Sequence, residues 1–99
     1  MIEIKGNVFD WDENKEIANI EKHDVTFQDA ATVFDDDYAV YIYDKKHSQN
    51  EERFIAIGMS EQLKILMVCH CYRNDDSLIR IISARRANKK EEAYYKEGK

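Results

Sequence analysis

The sequence predicts an α+β fold: two N-terminal helices, an antiparallel β-sheet and one C-terminal helix. Three observations carry that expectation. Helix-capping residues stand at Asp12, Thr26 and Asn88, each ahead of a stretch suited to a helix. Side chains alternate in strand fashion through most of residues 38–85. The cluster Asn74-Asp75-Asp76 supplies turn residues between two long alternating runs, as a β-hairpin requires.

Taken in order, Asn7–Trp11 reads as a short strand, and Asp12 caps a helix running to about His23. Ile17 and Ile20, three apart, form one apolar side of that helix among charges. Thr26-Phe27-Gln28-Asp29 has the form of a capping box, with Asp where Glu or Gln is usual. It opens a second helix carrying Phe27, Ala30, Ala31, Val33 and Phe34, which Asp35-Asp36-Asp37 closes. Strands follow at Tyr38–Tyr43, at Glu52–Met59 with Gly58 near its end, at Leu63–Tyr72 and at Ser77–Arg85. The polar stretch Lys45–Glu51 connects the first two. Asn88 caps the last helix, Lys89–Gly98, which bears Tyr94 and Tyr95.

The chain has 99 residues, no proline, no repeat and no low-complexity tract, so a single domain spanning 1–99 is expected. Eleven aromatic residues and a hydrophobic content of 43% suffice for one core and argue against disorder. Lys5, Asp10 and Asp12 interrupt any secretory apolar segment after Met1, and no apolar run is long enough to span a membrane. Cys69 and Cys71 lie two apart on a strand, with parallel side chains and poor disulfide geometry. The expectation is a reduced, cytoplasmic protein.

The formal net charge of −5 is unevenly spread. Residues 1–50 hold five Lys/Arg against twelve Asp/Glu, a net of −7, and residues 51–99 hold ten against eight, a net of +2. Within Lys64–Lys90 the count is seven basic to two acidic. Local field decides what docks, so the C-terminal half is expected to face an anionic partner, RNA above all. The acidic half, notably Asp35-Asp36-Asp37, is a candidate receiver for a basic protein segment, against the blander reading of a solvated loop.

Histidine and arginine supply what cleavage of an RNA phosphodiester needs without a metal. A base takes the 2′-OH proton, an acid protonates the 5′-oxygen, and cations stabilise the phosphorane. His47 in the polar connection and His70 on a strand are the proton-transfer candidates, each weighed against a structural role. His23, at a helix C-terminus, is explained by the helix dipole. Arg80, flanked by Ile79, Ile81 and Ile82, springs from a packed strand and can grip phosphate bidentately, or pair with an acid such as Glu52. Arg53 is a further phosphate contact. Strict alternation puts Arg80 and Arg85 on opposite faces unless a bulge re-aims one. Alternation also puts His70 opposite Cys69 and Cys71, which disfavours a zinc site there. No nucleotide-binding glycine motif occurs, so no cofactor is expected.

Two long stretches resemble the BrnT family of type II toxin–antitoxin toxins. One is Phe9-Asp10-Trp11-Asp12 with Lys15, Asn19, Lys22-His23, Val25, Phe27, Ala30 and Val33-Phe34. The other is Ile79-Arg80-Ile81-Ile82-Ser83-Ala84-Arg85-Arg86-Ala87, followed by Glu92 and Tyr94-Tyr95. Between them, His47, Glu51-Glu52-Arg53, Gly58 and His70 also fit. The resemblance implies a RelE-like fold and a ribonuclease that blocks translation. It further implies a BrnA-type antitoxin, contact with DNA only through that antitoxin, and a dimer or a heterotetramer with it. The carried-over positions are His47, Arg53, His70, Arg80 and Arg85. Arg80 and Arg53 would hold the scissile phosphate, one histidine would move the proton, and Arg85, Arg86 and Lys89 would hold flanking phosphates. Asp24 stands where a glycine is expected after the Lys-His pair. The competing readings are a non-catalytic RNA- or protein-binding module and a degenerate toxin that keeps only its antitoxin surface.

Overall fold

The computed structural model describes residues 1–98. In chain order the elements are β1 (Ile2–Ile4), β2 (Asn7–Asp10), α1 (Glu13–His23), α2 (Phe27–Ala31), β3 (Val40–Tyr43), β4 (Phe54–Met59), β5 (Ile65–Arg73), β6 (Leu78–Arg86) and α3 (Lys89–Lys96). Single 3₁₀ turns follow α2, at Thr32–Asp35, and β3, at Lys45–His47. The domain is α+β, as the sequence indicates.

The sheet departs from the expected antiparallel one. Its six strands run in the order β1-β2-β6-β5-β4-β3, and β2 pairs with β6 in parallel through Phe9↔Ile79 and Asp10↔Arg80. Strands β3 to β6 form an antiparallel meander, and its last member lands beside β2 pointing the same way. Strand β1 was not foreseen. It folds onto β2 through Lys5-Gly6, whose φ values of 49° and 90° are those of a two-residue hairpin turn with both residues left-handed.

Asp12 caps α1 as its position indicates, its Oδ1 accepting from the backbone N–H of Asn14 at 2.8 Å and Lys15 at 3.2 Å. The buried side of α1 is not the expected one. Ile17 and Ile20 face outward, and the side chain turned to the sheet is Asn19. Its amide donates to the carbonyls of Val25 (2.9 Å) and Ala84 (2.8 Å) and accepts from the Ala84 N–H (3.0 Å). Strand β2 covers β6 only as far as Arg80, so the backbone at Ala84 would otherwise stand unpaired and buried. Asn19 occupies that place.

The helix ends at Asp24, whose φ of 57° and ψ of 38° are left-handed. A side chain there is strained relative to glycine. Asp24→Gly is expected to raise stability by about 0.5–1 kcal/mol, read as a higher urea midpoint at unchanged slope.

One hydrophobic core fills the space between α1, α2 and one sheet face, with Phe9, Phe27, Val33, Leu66, Val68 and Ile81 among its members. Gly58 allows close approach here: a Cβ on it would lie 2.9 Å from Val33 Cγ1 and 3.0 Å from Ala39 Cβ.

Helix α3 begins with a full capping box between Asn88 and Glu91. It is held at both ends. Glu91 takes two bonds of 2.9 Å from the Arg85 guanidinium, and near the other end Tyr95 donates its hydroxyl to Asp36 Oδ2 at 2.6 Å. Asp36 also accepts from the N–H of Met59 (2.8 Å) and Tyr38 (2.9 Å). Burial alone would raise the Asp36 carboxyl, but these donors outweigh it and hold the group below the usual carboxylate range. Burial and the neighbouring Asp36 push the Tyr95 phenol up to about 12. Within the acidic triplet, Asp36 is engaged internally and Asp35 pairs with Lys5 at 3.2 Å, while Asp37 is exposed. Tyr95→Phe is expected to cost about 1.5–3 kcal/mol, the usual range for a hydrogen bond to a charged group, seen as a lower denaturation midpoint.

Candidate functional site

Strand pairing assigns the candidate side chains to faces. Along β5, Leu66, Val68 and His70 share the helix-covered face, and Met67, Cys69 and Cys71 share the other. Between Cys69 and His70 the register slips: Cys69 pairs with Ser83 but His70 pairs with Ile81, leaving Ile82 without a partner. This β-bulge shifts the alternation of β6 by one. Arg80 (opposite Cys71) and Arg85 (opposite Met67) therefore both lie on the outer face. Strict alternation had separated them. Their partners are four residues apart on β5, roughly 13 Å, and each guanidinium is turned to its own carboxylate, Arg80 to Asp10 and Arg85 to Glu91.

The same pairing puts His70 and Arg80 on opposite faces. His70 has no exposed surface and sits among the rings of Phe34 (4.7 Å), Tyr72 (5.3 Å), Phe54 (6.1 Å) and Tyr41 (6.4 Å). Its Nδ1 lies 3.2 Å from the Val68 carbonyl and its Nε2 3.3 Å from the Tyr72 hydroxyl. Burial pushes the imidazole down to about 4, against the opposing pull of the Val68 carbonyl. His70 is thus a neutral core residue beyond reach of a phosphodiester, and it leaves the candidate set for proton transfer.

Arg80 is half-buried and holds Asp10 Oδ2 at 3.1 Å, not Glu52, the partner that had been considered. Arg85 is committed to Glu91. Arg86 and Lys89 are exposed where β6 gives way to α3.

His47 and Arg53 do come together. Both line a cleft of about 450 Å³ with Lys46, Gln49, Asn50 and Glu51. The exposed His47 ring places Nδ1 2.9 Å from Oδ2 of Asp44, whose side chain is only 11% exposed. With the Nδ1 proton directed to Asp44, the Nε2 lone pair is left free. Arg53 has no carboxylate partner among the described residues, unlike Arg73, Arg80 and Arg85. Ser48 braces the loop: its hydroxyl donates to the Asp44 carbonyl (2.6 Å) and accepts from the Arg53 N–H (2.9 Å). The Asp44 N–H in turn donates to the Arg53 carbonyl at 2.8 Å. An oriented imidazole sharing a cleft with a guanidinium that has no carboxylate partner provides a proton acceptor and a cation for developing negative charge.

A family model described as the ribonuclease toxin BrnT of type II toxin–antitoxin systems matches residues 11–91. The chain belongs to the BrnT family. The 1.1 Å crystal structure of the Brucella abortus ribonuclease toxin BrnT is similar to it, with a TM-score of 0.65 and 27% sequence identity over 84% of this chain and 99% of that one. Comparison with curated proteins gives no match. Family membership makes this BrnT-type chain a ribonuclease toxin of a type II toxin–antitoxin system, with RNA as substrate and an antitoxin as partner. No described helix is long and apolar enough to cross a membrane.

In this BrnT-family chain Asp44 and Ser48 were not singled out from sequence. The signal for Asp44 was its spacing of three from His47, which a single helical turn converts into contact. Ser48 gave none.

Proposed function

We propose that this BrnT-family chain is a metal-independent endoribonuclease whose cleavage centre is the cleft lined by His47 and Arg53, with Asp44 behind the His47 ring. The 2′-hydroxyl of one nucleotide attacks the adjacent phosphorus and passes its proton to His47 Nε2. The bond from phosphorus to the 5′-oxygen then breaks, that oxygen takes a proton from a water molecule, and the hydroxide left behind takes the proton from His47, which returns to neutral. The products are a 2′,3′-cyclic phosphate and a 5′-hydroxyl. Asp44 orients the ring and stabilises the imidazolium as it forms, and Arg53 carries the phosphorane charge. Arg86 and Lys89 hold flanking phosphates, with Arg80 and Arg85 contributing field from their paired positions. The observation supporting this reading is an exposed imidazole, anchored by a half-buried carboxylate, in one cleft with an arginine that has no acid to neutralise it.

On this reading the fold is RelE-like and cleavage of cytoplasmic RNA inhibits translation. A BrnA-type antitoxin neutralises the toxin in a dimeric or heterotetrameric complex, and DNA is met only through that antitoxin. Induced expression should halt growth, and the purified protein should cut RNA in EDTA and leave cyclic-phosphate ends. RNA binding with no product under any condition would support the non-catalytic alternative. Cleavage abolished by chelator would sink metal independence.

A further inference from the structure

A second cleft, of about 390 Å³, adjoins the first through Glu51 and is lined by Glu51, Glu52, Phe54, Tyr72 and Asp76. Phe54 and Tyr72 form its aromatic wall, with ring centroids 5.5 Å apart and planes at 66°. Both rings are partly exposed, on the part of the sheet face that α1 and α2 leave uncovered. Glu51 is bound to Arg73 at 2.9 Å. Glu52 and Asp76 are exposed and form no hydrogen bond or ion pair through their carboxylates among the described residues. Asp76 is fixed in the β5–β6 turn with a left-handed φ of 70°.

Carboxylates beside a phosphate-binding cleft repel the substrate unless they accept hydrogen bonds from a base. Aromatic faces beside them offer a stacking surface, which every nucleobase can use. Selectivity then comes from the base edge. Guanine presents two adjacent donors, N1–H and the N2 amino group, which match the two oxygens of a carboxylate. Adenine and cytosine present one amino group beside an acceptor nitrogen, and uracil presents one N–H between two carbonyls. Each of these sets an acceptor against the second carboxylate oxygen.

We infer that this cleft is a guanine-selective base subsite: the base next to the scissile phosphate stacks on one of the rings Phe54 and Tyr72, meets the other edge-on, and donates to Glu52 or Asp76. The inference rests on the ribonuclease reading for its place in the reaction but not for its binding chemistry. Titration with the four nucleoside 3′-monophosphates, followed by NMR of the Phe54 and Tyr72 ring signals, tests it without cleavage. Guanosine 3′-phosphate should bind at least about tenfold more tightly than the other three. The Glu52→Gln, Asp76→Asn double variant, altered only at exposed positions, should bind it no better than adenosine 3′-phosphate. Equal binding of all four nucleotides would overturn the subsite, and so would a preference undiminished in the double variant. Guanosine preference in a protein that cuts no RNA would leave the subsite standing and remove the nuclease centre. RNA cut without regard to guanine would do the reverse.

Discussion

His47→Ala is expected to lower RNA cleavage by about 10²–10⁴-fold, the usual contribution of a positioned general base, and to let cells grow under induction. The ring is exposed, and its one side-chain partner is Asp44. Its loss should therefore leave stability within about 0.5 kcal/mol of the parent, as for surface substitutions generally. Arg53→Ala should cost about 10²–10³-fold, because it removes a charge aimed at the transition state. Arg53→Lys should recover only part of that, since a point charge replaces a planar fork. Asp44→Asn should fall between, with kcat reduced more than KM. Cleavage by His47→Ala within a few-fold of the parent would move the centre elsewhere. The leading alternative would then be the Arg80 side of the sheet.

The second large effect is on stability. The His70 imidazole is held at about 4 in the fold, against an ordinary value of 6.5. The unfolded chain therefore binds a proton that the folded chain refuses between those two values, and stability rises with pH across that window. The contribution is complete above about pH 6.5 and is lost as pH falls toward 4, an effect on the order of 3 kcal/mol. Urea unfolding at pH 7 and at pH 4.5 measures it. Carboxylates such as Asp36 and Glu91, which the fold holds low, also titrate at the acid end. The quantity to compare is thus the difference between the parent and His70→Gln, a neutral replacement. That variant should be less stable at pH 7 and should lose less on acidification. A parallel decline in the two proteins would show that His70 does not resist protonation.

The residues left a readable record wherever structure is decided locally. Asp12, Thr26 and Asn88 each accept the backbone N–H that their cap positions require, and the meander strands follow the alternating runs within two residues. The shared cleft of His47 and Arg53 is local in the same sense: six residues and one braced loop join them. What depends on distant chain was not legible. Whether His70 and Arg80 share a face is fixed by the register between β5 and β6, which the alternation of each strand alone does not specify. The extra residue at Ile82 compounds this, because it exchanges faces halfway along β6. The parallel pairing of β2 with β6 joins segments about seventy residues apart. Asn19 defeated the helix pattern because a strand edge needed an amide more than the core needed another isoleucine.

That asparagine has a wider consequence. A nine-residue strand bordered for only part of its length is a template for intermolecular stacking, the usual origin of insoluble aggregates. By engaging both polar groups of Ala84, a single side chain denies other molecules that docking edge. Solubility thereby depends on how α1 is seated. Displacing this helix would uncover a sticky ribbon.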